Sequence, residues 1–215
     1  QGRRKGIVAS DYWGNERVLV EGIRVENMRD GIYTAYEDGP GSVKIRDCEF
    51  AGNATSLWML DHGGHLSVSG CRFESVARAG SHINAWHHAR VSVSDCDLEC
   101  PGYLNHWPPV GMSLTNIGLA EIERCRFSYM AGAWVLDRGT RAVFRSCEFE
   151  NQRIGVGDVS ISSEVTIIDC TYRDVEVAVV SNESYYRITM RNCDIQSVEG
   201  SCIRGHSYGY ASIPG

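Results

Sequence analysis

The stretch VTIIDCTY, residues 165–172, carries apolar residues two apart at Val165 and Ile167, slips by one at Asp169, then resumes the two-residue spacing at Cys170 and Tyr172. Two-residue spacing puts alternate side chains on one face of a strand. The slip marks a one-residue corner at a residue type that tolerates a left-handed backbone. The phrase recurs as VKIRDCEF (43–50), LSVSGCRF (66–73), VSVSDCDL (91–98), AEIERCRF (120–127), AVFRSCEF (142–149) and ITMRNCDI (188–195), and VLVEGIRV (18–25) precedes them with Ile23 in the cysteine slot. Successive cysteines, from Cys48 to Cys193, stand 23, 25, 29, 22, 23 and 23 residues apart. A near-constant period in this range means a solenoid.

About twelve residues before each cysteine lies a further strand-like run, among them SLWML (56–60), HINAW (82–86), MSLT (112–115) and AWVLD (133–137). Each coil therefore has three strands and three corners, and coils bury their apolar faces only by stacking. The expectation is an all-β chain, one domain over residues 1–215, of about eight coils with an internal ladder of Cys48, Cys71, Cys96, Cys125, Cys147, Cys170 and Cys193. Regular spacing favours small buried apolar thiols over disulfides, and unpaired thiols favour folding in a reducing compartment.

The repeated VxIxxCxF phrase with Asn, Asp or Gly at the corner resembles the right-handed parallel β-helix superfamily, often called pectin lyase-like, over residues ~7 to ~206. That resemblance implies the fold and, for function, a range: polysaccharide lyases, hydrolases and epimerases, phage tailspikes, and members without a known polysaccharide substrate. Gly157-Asp158 and Gly205-His206 are fragments of the polygalacturonase pattern, and Asp61-His62-Gly63-Gly64-His65 is a loose echo of the alginate epimerase motif. A lyase of this superfamily would bring in Ca²⁺; no other cofactor is implied.

Net charge is −6 without a Lys/Arg-rich run, which excludes a nucleic-acid backbone as partner. No apolar run reaches the ~18 residues that span a bilayer. Nine cysteines would ordinarily raise a metal reading, yet none has paired zinc-site spacing. The sequence opens on Gln1 rather than Met, so a processed or excised piece of a longer chain is expected, without any targeting segment that the longer chain carries.

In this superfamily the cleft runs along the strand before the VxI segment. Counting fixed distances back from each cysteine puts His82, Asn84, Trp86, Ser113, Asp61, Asp137 and Asp158 on that outward surface, with Leu57, Met59, Val135, Val156 and Val179 in the same rows. Carboxylates, an imidazole and an aromatic ring suit a sugar. Asp61 and Asp137 are three coils apart, ~14 Å, too far to act on one bond, whereas Asp137 and Asp158 at roughly 8 Å fit an inverting hydrolase. Arg138 would neutralise a uronate carboxylate. The long connection 99–109 should fold over the cleft and deliver Tyr103, His106 or Trp107. A metal site of Asp61, His82 and one of His62, His65, His87 or His88 is the lesser reading beside isolated surface histidines.

The leading expectation is a carbohydrate-active enzyme, a polysaccharide lyase or glycoside hydrolase, with Asp137, Asp158, Asp61, His82 and Arg138 catalytic and Asn84, Trp86, Ser113, His106, Trp107 and Tyr103 binding a polysaccharide or oligosaccharide. The alternatives are a non-catalytic recognition scaffold such as a self-associating trimeric fibre, which the outward apolar residues motivate, and a cyclase or isomerase acting on a small apolar metabolite.

Overall fold

A computed structural model describes residues 5–11, 17–36, 41–61, 63–74, 80–101, 109–136, 139–157, 159–160, 162–181, 186–196, 202–205 and 210–212. Their regular structure is entirely parallel β-strand. Row A comprises Arg17–Glu21, Ser42–Arg46, His65–Ser69, Arg90–Ser94, Leu119–Glu123, Arg141–Arg145, Glu164–Ile168, Arg187–Arg191 and Tyr210–Ser212, paired in that order as one nine-stranded sheet. Row B holds three-residue strands, Arg24–Glu26, Glu49–Ala51, Arg72–Glu74, Asp97–Glu99, Arg126–Ser128 and Asp194–Gln196. Row C holds Lys5–Asp11, Asp30–Tyr36, Thr55–Asp61, Ser81–Trp86, Val110–Thr115, Ala131–Leu136 and Ile203–Arg204. In two turns rows B and C run on as single strands, Glu148–Gly157 and Thr171–Val180, which joins the rows into one sheet. The turns number seven to eight, in rough agreement with the eight phrases of the sequence, and the last ends on the two-residue strand Ile203–Arg204.

Register locks the coils together. Val43, Leu66, Val91, Ala120, Ala142, Val165 and Ile188 are successive Cα partners down row A, and all are buried. The corner residues form a matching column: Asp47, Gly70, Asp95, Arg124, Ser146, Asp169 and Asn192 all have φ between 51° and 60°. A corner leaves its backbone N–H without a partner in its own coil. From Asp47 through Asp169 each finds one in the next coil, as with Asp47 N to Ser69 O at 3.0 Å and Asp95 N to Glu123 O at 3.0 Å. A second left-handed corner, between rows B and C, stands at Asn27, Gly52, Tyr129, Asn151 and Asp174.

Inside, the cysteine column is present. Cys48, Cys71, Cys96, Cys125, Cys147 and Cys170 are at most 3% exposed, Cys193 is half-buried near one end, and all are free thiols. Each Sγ donates to the carbonyl two residues earlier, from Cys48 to Arg46 O at 3.1 Å through Cys170 to Ile168 O at 3.3 Å. These thiols therefore bury without an orphaned polar atom.

Beside the thiols runs an aromatic column from row B. Phe50 and Phe73 stack at 5.0 Å, Phe127 and Phe149 at 5.0 Å, and Phe149 and Tyr172 at 4.8 Å between centroids. It needs small neighbours in row C. A Cβ on Gly111 would meet Phe127 Cδ1 at 2.9 Å, and one on Gly132 would strike the Gly155 carbonyl and crowd Phe149. Gly132→Ala should therefore destabilise the fold by about 2–4 kcal/mol, measured by equilibrium denaturation. An unchanged midpoint would mean that this close approach of coils is misplaced.

Candidate functional site

The outer faces of the three rows differ in chemistry. Rows A and B are crossed by arginine–carboxylate pairs that link one coil to the next. Arg46 meets Glu21 at 2.8 Å, Arg124 meets Asp95 at 2.7 Å, Arg126 meets Asp97 at 2.7 Å and Arg173 meets Glu150 at 3.1 Å. The hydrogen bond from Arg124 holds the Asp95 carboxyl below its ordinary range. Exposed pairs of this kind add little stability singly, and among the described residues they engage many of the charges of both faces, though not Arg17, Lys44 or Arg191 of row A.

Row C presents two uncharged columns outward. Cα partners place Tyr33, Trp58, Asn84, Ser113, Trp134 and Gly157 in one column, and Ala35, Leu60, Trp86, Thr115 and Leu136 in the other. All but the buried Gly157 are half-buried. Trp58 and Trp86 lie 5.7 Å apart between centroids, tilted by 39°. Trp134 lies against Gly157, where an added Cβ would come within 3.3 Å of the indole. Asn84 Oδ1 and Trp86 Nε1, on one strand and facing the same way, are buried polar atoms with no hydrogen-bond partner.

Counting fixed distances back from the cysteine is correct only where the connection from row C to row A has one particular length. Asn84 and Ser113 fall in such coils and do face outward, as does Trp86. In neighbouring coils the connection differs in length, and the outward column shifts to Trp58 and Trp134. Leu57, Met59, Val135, Val156 and Val179, expected outside, are fully buried core residues. The anomaly of an apolar cleft lining thus disappears, and three aromatic side chains that the count had missed, Tyr33, Trp58 and Trp134, take the face. Alternation within each strand, rather than distance from the cysteine, would have found them.

His82 also moves inward. It is completely buried, its Nε2 3.2 Å from the Glu99 carbonyl, its Nδ1 3.5 Å from Ser56 Oγ and its ring 5.5 Å from that of Phe73. This geometry fits a neutral ring with Nε2–H donating to Glu99 O. Phe50 through Tyr172 form the aromatic column except at Leu98, and His82 replaces glycine beside that turn, so the imidazole fills room that a missing aromatic ring leaves. Burial lowers it to about 4. His88 is likewise buried, and its ring nitrogens lie near the Met59 and Gly64 carbonyls without a hydrogen bond of normal geometry; burial again lowers it to about 4. Neither is the isolated surface histidine that the sequence implied. Among the described residues no three His, Cys, Asp or Glu side chains are grouped to hold a metal ion.

Asp61 closes the strand Thr55–Asp61, and its side chain lies outside the described residues. Asp137, Arg138 and Asp158, which follow Leu136 and Gly157 in the sequence, lie outside them too, as do Tyr103, His106 and Trp107.

A family model described as the right-handed beta helix region matches residues 110–213, just under half of the chain. Together with the parallel solenoid, this match makes the chain a right-handed parallel β-helix, and the fold fits the pectin lyase-like superfamily. No curated protein and no solved structure matches it.

The buried histidines make stability depend on pH. Their folded values, about 4, lie below the ordinary 6.5. Between those values the unfolded chain binds more protons, so their contribution is complete above about pH 6.5 and is lost as pH falls through the window. Each contributes a slope of up to about 1.4 kcal/mol per pH unit. Denaturation midpoints between pH 7 and pH 4 should fall accordingly, and His82→Asn should remove about half of the slope; a slope unchanged in that variant would place His82 in water.

Proposed function

We propose that this β-helix is a carbohydrate-active protein that lays a saccharide along the outer face of row C, on Tyr33, Trp58, Trp86 and Trp134. The observation that carries this reading is the contrast between faces: rows A and B are charged and crossed by arginine–carboxylate pairs, while row C offers two neutral columns rich in aromatic rings. A pyranose has apolar C–H faces that stack on such rings, and a rim of hydroxyls that need hydrogen-bond partners. Asn84, Ser113 and Thr115 lie between the tryptophans, and the half-buried side chains of Ser113 and Thr115 offer those partners. Trp58 and Trp134 are three coils apart, ~14 Å at ~4.8 Å per coil, a span suited to an oligosaccharide rather than a single sugar.

For catalysis the reading is a polysaccharide lyase or glycoside hydrolase in which Asp137 and Asp158 supply the carboxyl groups, with Asp61 and Arg138 assisting. Tyr103, His106 and Trp107 in the long connection are its further substrate contacts, and Ca²⁺ is the metal a lyase would call on. His82 drops out of this set because its ring is sealed in the core and fully hydrogen-bonded.

A panel of neutral and acidic oligosaccharides, followed by calorimetry and by product analysis, tests both levels. Trp58→Ala and Trp86→Ala should each weaken binding by about tenfold or more. Asp137→Asn and Asp158→Asn should abolish cleavage while leaving binding in place. Unaltered binding in both tryptophan variants would remove the face assignment, and full cleavage by both asparagine variants would remove the catalytic one.

A second reading, a non-catalytic scaffold that self-associates side by side, is favoured by the same face, where Leu60 and Leu136 accompany the aromatic rings and Val8 is 52% exposed. Light scattering on the purified chain separates the two: a strict trimer that binds no saccharide supports the scaffold, and a monomer argues against it.

A further inference from the structure

Row A and row B carry opposite surplus charge. With histidine neutral, the outward positions of row A hold eight cations and four carboxylates. Those of row B, including the opening residues of Glu148–Gly157 and Thr171–Val180, hold four arginines and eight carboxylates. The signs also oppose turn by turn. Lys44 and Arg46 share a turn with Glu49, Arg90 with Asp97 and Glu99, Arg141 and Arg145 with Glu148 and Glu150, and Arg187 and Arg191 with Asp194. Where row A turns negative, at Glu121 with Glu123 and at Glu164, row B turns positive, at Arg126 and at Arg173. In the two remaining turns each row is neutral as a whole.

Within one molecule this complementarity goes unused. Among the described residues, the ion pairs of row A are made within row A or with the adjoining corner, those of row B within row B, and none joins the two rows. Glu164 serves both Arg141 and Arg187, whereas on row B Arg72 serves both Glu74 and Glu99. Arg17, Lys44 and Arg191 are left without a carboxylate among the described residues, and Glu148 and Asp194 without a cation.

We propose that row A is a docking face for row B of a second copy of this chain, the two lying side by side, parallel and at the same height. Every charged turn of one copy then meets a turn of opposite sign in the other, and the common rise of ~4.8 Å keeps the match along the stack. A shift of one turn would set Glu121 and Glu123 against Asp97 and Glu99, and Arg141 and Arg145 against Arg126, so repulsion fixes the register. The contact is heterologous, and without an axial shift it closes as a ring instead of growing as a fibre. Row B offers roughly 38 Å by 10 Å, about half of a standard interface per partner, so the association is weak and held by charge. Row C stays free, which makes the inference independent of the saccharide reading.

Light scattering on the whole chain at about 50 mM and about 500 mM salt tests the contact: mass should rise with protein concentration at low salt and return to the monomer at high salt. A row A variant, Lys44→Glu with Arg191→Glu, and a row B variant, Glu148→Lys with Asp194→Lys, should each associate at least about tenfold more weakly. All four side chains are exposed and none has an internal ion-pair partner among the described residues, so circular dichroism should show both variants folded. An equimolar mixture of the two variants should regain a pair of copies, because the intact row B of the first meets the intact row A of the second. A wild-type chain that stays monomeric at low salt, or associates regardless of salt, would overturn the proposal even if a variant failed to fold. So would a mixture that stays monomeric, or a row B variant that associates like the wild type while the row A variant does not, which would give row A a different partner. Association that survives in both variants and falls in Trp58→Ala would place the contact on row C and overturn it as well.

Discussion

In-register parallel pairing of each coil with the next is the constraint on which everything else depends. Strands ~4.8 Å apart force identical positions of successive coils into contact, so each position must hold a residue that packs against its own kind. Cysteine does so by donating its weak S–H to a carbonyl two residues back in its own chain, which frees the side chain to act as a small apolar rung. Phenylalanine does so by offset stacking from Phe127 through Phe149 to Tyr172. Left-handed corner residues do so by passing a backbone hydrogen bond from coil to coil.

The same constraint makes the outer surface one-dimensional. A chemical preference at one outward position is repeated at ~4.8 Å intervals along the axis. On rows A and B the repeat pairs arginine with carboxylate from adjacent coils, so many of their charges are answered within the molecule. On row C the repeat presents uncharged aromatic and small polar residues. A linear polymer is the natural complement of a surface with that symmetry, because it too repeats along one axis.

Much of this was legible in the residues alone. Corner, thiol and VxI positions lie within one eight-residue phrase of constant length, so their columns could be read directly, and Asp47 through Asn192 all adopt the left-handed conformation. Row C was harder, because it is tied to the phrase by connections of unequal length. Asn84, Trp86 and Ser113 came out on the correct face, while Met59, Val135 and His82 did not. The burial of His82 depends on Leu98 interrupting an aromatic column in a different row, a compensation that no local pattern records. The second corner was counted but its residues were not assigned, since its types vary from Asn27, Gly52, Asn151 and Asp174 to Tyr129, which carries no turn signal. The uneven turn that contains the connection 99–109 nevertheless keeps its strands in register, Val91 opposite Ala120 and Leu98 opposite Phe127, so the extra residues are absorbed between rows.

The most direct test of the account is the distance between spin labels on the outer face of row A, introduced as Lys44→Cys with Thr166→Cys, and as Lys44→Cys with Thr189→Cys, while the buried native thiols stay protected. Five and six coil rises should give backbone separations of ~24 Å and ~29 Å, one rise apart. Distances that fail to increase by one rise, or that follow residue number instead of coil number, would contradict the in-register stack and with it the continuous face of row C.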